Sequence, residues 1–172
     1  MHRRREWAGG SRRVGLAGVL LVIAGGLQAA DLEVDASAAA AMSGAQRADL
    51  ARRVEAIVAS VREVLPTLPD DVVVEVRAES QPYSRTGATG AATGPARIAW
   101  VFDAARPEGV IAIAERTLES ILVHELHHLA RGCTQGGAPF QSFLDGAVCE
   151  GMATAFARDH ADAEQPWASY PP

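Results

Sequence analysis

Residues 124–128 read His-Glu-Leu-His-His, which gathers three of the five histidines of the chain into five positions. His124 and His128 are four apart, so on a helix both rings leave the same face, one turn from each other. That spacing lets two imidazole nitrogens reach one metal ion at about 2.0–2.1 Å. Glu125 then stands beside the metal rather than on it, where a carboxylate can take a proton from water. His127, three residues from His124, reads as a flanking group and not as a ligand.

A tetrahedral catalytic zinc needs a third protein ligand and one open position. Glu150 is the first candidate, a lone acid within Ala147-Val148-Cys149-Glu150-Gly151-Met152-Ala153. A carboxylate among such residues is costly to bury unless it is paired or holds a metal. Asp145 competes for the role, although it is better explained as a helix N-cap, and His160 is a weaker third choice.

The elements that must position these residues are legible in outline. The histidine helix is expected to start at Thr117 as N-cap, to place Ile121, Leu122, Leu126 and Leu129 in a core, and to end at Gly132. A following helix is expected from Asp145, with Val148, Met152, Ala155 and Phe156 on one face and Gly151 allowing a close approach. Upstream, Ser43-Gly44-Ala45-Gln46 has the form of a capping box. Leu50, Val54, Ile57, Val58, Val61 and Leu65 follow at helical spacing as far as Pro66. Residues 72–77, 97–102 and 110–114 read as three strands, with Trp100 and Phe102 as core. The Gly/Thr/Ala/Ser stretch 79–95 reads as a mobile loop. Its Gly87, Gly90 and Gly94 lack the strand-then-helix context of a phosphate-binding fingerprint. The expectation is an α+β fold: an N-terminal helix, a small β-sheet, then the two metal-bearing helices.

The 172 residues leave room for one domain. Residues 1–30 read as a signal peptide, residues 31–42 as an alanine-rich leader, 43–160 as the domain and 161–172 as a proline-rich tail. The signal-peptide assignment rests on Arg3, Arg4, Arg5, Arg12 and Arg13, an apolar run from Val14 to Leu27, and small residues near Ala29 and Ala30. The exported product, periplasmic or secreted, would have no stable membrane insertion. All 16 basic residues are arginine, which fits a GC-rich coding bias. Without residues 1–30 the chain holds 11 basic and 20 acidic residues, a net of −9 that gives nucleic acid no phosphate-binding footprint. Cys133 and Cys149 are the two cysteines, readable as a disulfide or as two free thiols, with a zinc-ligand role for Cys133 an unusual addition to the motif beside it.

The residues His124-Glu125-Leu126-His127-His128, Leu144-Asp145 and Glu150-Gly151-Met152-Ala153 resemble the gluzincin metallopeptidases. The likeness is greatest to DUF2268, a family of uncharacterised proteins expected to be zinc-dependent proteases. It covers about residues 115–158 and extends loosely over 72–114. The resemblance implies one zinc held by His124, His128 and Glu150, with Glu125 as catalytic base and acid. It also implies a transition-state-stabilising Tyr or His, for which Tyr83, His160 and Tyr170 are available.

The expected activity is hydrolysis of a peptide or protein substrate laid along an edge strand, for which residues 97–102 are the candidate. The alternative is an exported zinc-binding or partner-binding module without turnover. A third reading has the tail from Gln165 to Pro172 occupying the cleft.

Overall fold

A computed structural model describes residues 30–80, 85–134 and 142–162. Residues 1–29 of the signal segment, Tyr83, Tyr170 and the tail from 163 onward therefore lie outside the described residues. Four strands, β1 (Asp31–Val34), β2 (Val73–Glu79), β3 (Ala88–Gly94) and β4 (Arg97–Asp103), form one sheet in the order β1-β2-β4-β3. The first three in that order are parallel, and β3 runs antiparallel to β4. The helices are α1 (Ala36–Ala41), α2 (Gly44–Val64), α3 (Gly109–Arg131) and α4 (Phe143–His160). The fold is α+β with a small mixed sheet.

Local chemistry explains most of these elements. The capping box at Ser43 forms as expected: Ser43 Oγ accepts from the Gln46 amide, and Gln46 Oε1 accepts from the Ser43 amide. Leu50, Val54, Val58 and Val61 bury the inner face of α2. In β2, Val74 and Val76 point inward while Glu75 and Arg77 point outward, the period-two alternation of a half-buried strand. Ile98, Trp100 and Phe102 do the same in β4. The core lies between this face of the sheet and α2 and α3. The opposite face carries the ion pairs Arg97–Glu33 and Arg77–Glu75, which are partly exposed and contribute little stability.

Four expectations are corrected. Residues 110–114 are not a strand but the first turns of α3, in which Val110, Ile113, Ala114, Leu118 and Ile121 are buried at helical spacing. Thr117 is accordingly mid-helix, its hydroxyl donating to the Ile113 carbonyl at 2.7 Å. Residues 88–94, within the expected loop, form β3. Residues 31–41, within the segment read as an alanine-rich leader, supply β1 and α1. Finally, residues 97–102 are not an edge, because β4 is paired on one side with β2 and on the other with β3.

Gly132 ends α3 where the sequence places the stop. Its φ of 70° is the left-handed conformation that glycine adopts without strain. From Val110 to Leu129 most positions of α3 are buried, as for a helix enclosed on nearly all sides.

Candidate metal centre

The buried α3 carries His124, Glu125 and His128 into the molecule, with 9, 8 and 3 % of their surfaces exposed. The four-residue spacing turns both rings to one side, where the two Nε2 atoms stand 3.0 Å apart. Glu150 approaches from α4, with Oε2 at 3.2 Å from His124 Nε2 and Oε1 at 3.4 Å from His128 Nε2. Its side chain is 58 % exposed, so the site joins a buried histidine pair to a carboxylate on the rim.

These separations suit one ion. Two ligand atoms about 2.05 Å from a tetrahedral ion lie about 3.3 Å apart. Three electron-rich side chains so close together also need a cation, or a shared proton, to satisfy them. Burial, with the field of His128 second, holds the His124 pKa below its ordinary value. A lone pair is thereby left free on a neutral ring. The Nδ1 atoms of His124 and His128 are buried and have no hydrogen-bond partner among the described residues. The polar contacts of the two rings are on the other side, through the two Nε2 atoms and Glu150.

Glu125 faces the same cleft but holds a different position. Its Oε2 accepts a hydrogen bond from the Ala92 amide of β3 at 2.8 Å. Burial pushes its pKa up to about 7, against that hydrogen bond, and the nearby Glu150 charge adds to the rise. The contact requires β3 to lie close to α3. A Cβ on Gly90 would overlap Ile121 Cγ2 and come within 3.1 Å of Glu125 Cγ. Gly90 and Ala92 are therefore site residues that the sequence reading missed. The available signal was Ala88-x-Gly90-x-Ala92, small residues on one face of a strand. The cleft between β3, α3 and α4 has a volume of about 270 Å³, and Thr89, Gly90, Ile121 and Thr154 line it beside the charged groups.

On α4 the expectations need adjustment. Ser142 is the N-cap, accepting from the Asp145 amide at 3.1 Å and donating to Asp145 Oδ2 at 2.9 Å. Asp145 thus sits in the first turn and belongs to no metal-ligand cluster among the described residues. The buried face is Cys149, Ala153 and Ala157, while Val148 and Met152 are exposed. Those small side chains give the close approach to α3. Gly151 does not, since a Cβ there would meet nothing within 4 Å.

His160 stacks on Phe156 at 4.3 Å, and Phe156 on His127 at 5.3 Å, an aromatic ladder outside the cluster. Cys133 and Cys149 form a disulfide, tying the end of α3 to α4 one residue before Glu150. No helix among the described residues is long and apolar enough to cross a membrane.

The chain matches no family model, no curated protein and no solved structure.

Proposed function

We propose that this chain is a zinc-dependent peptidase of zincin-like organisation, with His124, His128 and Glu150 as the metal ligands and Glu125 as general base. The observation that carries the reading is the convergence of three ligand side chains, their polar atoms 3.0–3.4 Å apart, beside a carboxylate that burial pushes up to about 7. Zinc bound there would supply Lewis acidity, lowering the pKa of its water to about 7 and polarising a carbonyl. A base with a pKa of about 7 can both take a proton from water and return it to a departing amine. The hydrogen bond from Ala92 holds one oxygen of Glu125, and the other lies on the side of Gly90.

A peptide substrate would lie along β3, the edge strand that borders the cleft, rather than along the enclosed β4. Its main chain would then pair with the strand, and its scissile carbonyl would sit above the histidine pair. Exported metal binding without turnover is the second reading. It is favoured by one observation: His160, the candidate transition-state-stabilising group that falls among the described residues, packs on Phe156 outside the ligand cluster.

The test is metal content and peptide hydrolysis for residues 31–172, compared with Glu150→Ala and Glu125→Gln. The peptidase reading expects about one zinc per chain, sharply reduced in Glu150→Ala. It expects Glu125→Gln to keep the zinc and to lose hydrolysis by at least about 100-fold. Equal hydrolysis by wild type and Glu125→Gln sinks the catalytic assignment. Zinc in the chain with no cleavage of a broad peptide library favours the binding module.

A further inference from the structure

The Cys133–Cys149 bond is adjacent to the metal centre in space as well as in sequence. The two sulfurs and one ring nitrogen of His128 lie within 4.8 Å of one another. His128 thus belongs to two potential ligand groups, one with His124 and Glu150 and one with the two cysteines. The Cys133 amide also donates to the His128 carbonyl at 2.9 Å, which keeps that end of α3 and the cysteine together. While the sulfurs are bonded to each other they are poor ligands, since the thiolate is the form that binds metal. Sulfurs on one tetrahedral zinc, each at about 2.3 Å, stand about 3.8 Å apart, so the bond must open before they can share an ion. Once opened, two thiolates and an imidazole form a softer and more strongly binding set than two imidazoles and a carboxylate.

We propose that the Cys133–Cys149 bond selects the metal site. With the bond closed, the chain binds metal through His124, His128 and Glu150. With the bond open, it binds through Cys133, Cys149 and His128, and the hydrolytic arrangement is dismantled. The inference rests on reading the first set as metal ligands.

The opening step is thiol–disulfide exchange with an external dithiol, at the half-buried Cys133 rather than the buried Cys149. A thiolate of the dithiol attacks Cys133 Sγ, the Cys133–Cys149 bond breaks, and Cys149 leaves with the electron pair. The second thiol of the dithiol then displaces Cys133. The dithiol ends as a disulfide, having given two electrons and two protons, and the two cysteines end as thiols. Metal binding releases those two protons to solvent. Hydrolysis would consequently be confined to compartments where disulfides persist.

Cobalt(II) is the probe, because thiolate ligands give it an intense near-ultraviolet charge-transfer band that nitrogen and oxygen ligands do not. A water-soluble phosphine serves as reductant, since it adds no sulfur ligand. It takes oxygen from water to become the phosphine oxide, leaving that water's protons on the two sulfurs. The oxidised chain is expected to bind cobalt without the band, and reduction to produce the band at unchanged cobalt content. Glu150→Gln is expected to bind cobalt poorly when oxidised and to recover binding with the band when reduced. The Cys133→Ser/Cys149→Ser variant, its fold checked by circular dichroism, is expected to keep the oxidised wild-type spectrum whether or not phosphine is present. Cobalt bound before reduction with no band afterwards, or cobalt lost on reduction, overturns the selector alone. An oxidised chain that takes up no cobalt overturns the metal reading of His124, His128 and Glu150, and the selector with it.

Discussion

Glu125 and His127 stand two apart on α3, and both have been taken out of water in their less soluble forms. Burial raises Glu125 from 4.5 to about 7 and lowers His127 from 6.5 to about 4. The linked stabilities run in opposite directions. Between pH 4.5 and 7 the folded chain holds a proton on Glu125 that the unfolded chain has released, so this contribution is lost as pH rises. Between pH 4 and 6.5 the unfolded chain protonates His127 and the folded chain does not, so that contribution is lost as pH falls. The metal-free protein should therefore show a shallow pH dependence over the shared interval. Glu125→Gln removes only the first effect. Freed of metal by a chelator, the variant should be more stable than wild type at pH 7.5 by about 2–3 kcal/mol, an advantage gone by pH 4.5. Urea unfolding at the two pH values measures this, and equal stabilities at pH 7.5 would mean that water reaches Glu125. At this scale the sequence was informative because the chemistry is local: His124, Glu125 and His128 share one turn and a half of helix. Glu150 stood out as an isolated acid. The Ser142–Asp145 cap was misassigned because both residues are good N-caps, and only the backbone position tells which one is.

At the scale of elements, α2, β2 and β4 were legible because branched and long apolar residues mark their buried faces by period. Two elements were not. Val110-Ile111-Ala112-Ile113-Ala114 alternates like a strand, yet the same residues continue a helical stripe through Leu118 and Ile121 that a short window hides. Ala88-Thr89-Gly90-Ala91-Ala92-Thr93-Gly94 has the composition of a loop because its inner side chains must be small to let Glu125 reach the strand. Gly90 is the test of that explanation. Gly90→Ala would push β3 away from Ile121 and loosen the bond between Ala92 and Glu125, at a cost of about 1–3 kcal/mol in stability. All three candidate ligands lie on α3 and α4, so zinc affinity should stay within about threefold while hydrolysis falls by at least about tenfold. Making room with Ile121→Ala in the same chain should restore part of the lost activity. Zinc competition titrations and initial rates separate the two effects. A matched loss of zinc would mean that β3 supports the ligands rather than the base.

At the scale of the molecule, the site spans two helices of unequal burial. Three of its four charged or ligating groups sit on α3, which packs against α2, α4, β3 and β4 and is buried for most of its length. The fourth, Glu150, sits on α4, which packs chiefly on α3 and leaves Phe143, Leu144, Val148 and Met152 exposed. A peripheral helix with few buried apolar contacts is the kind of unit that opens below the global unfolding free energy. Its attachments include the Ala153 and Ala157 contact, Phe156 against His127, the disulfide, and Glu150, which meets the histidine pair and would share an ion with it. The disulfide closes a separation of 16 residues and so restrains an opened α4 to remain near its seat. Metal bound by residues of both helices must add to the closing of α4, because the open form has lost one ligand. Hydrogen exchange should therefore show α4 amides gaining protection on zinc binding, by up to about 100-fold at 100 times the dissociation constant. Amides of α2 and β4 should change little while local opening of α4 dominates the linkage. Glu150→Gln should abolish the gain in α4 without altering its protection in the metal-free state. If zinc protects α2 and α4 equally, α4 unfolds only with the whole molecule and the site is a single rigid unit. If zinc protects α3 alone, the ion is held by His124 and His128 without Glu150, and the third ligand has to come from elsewhere.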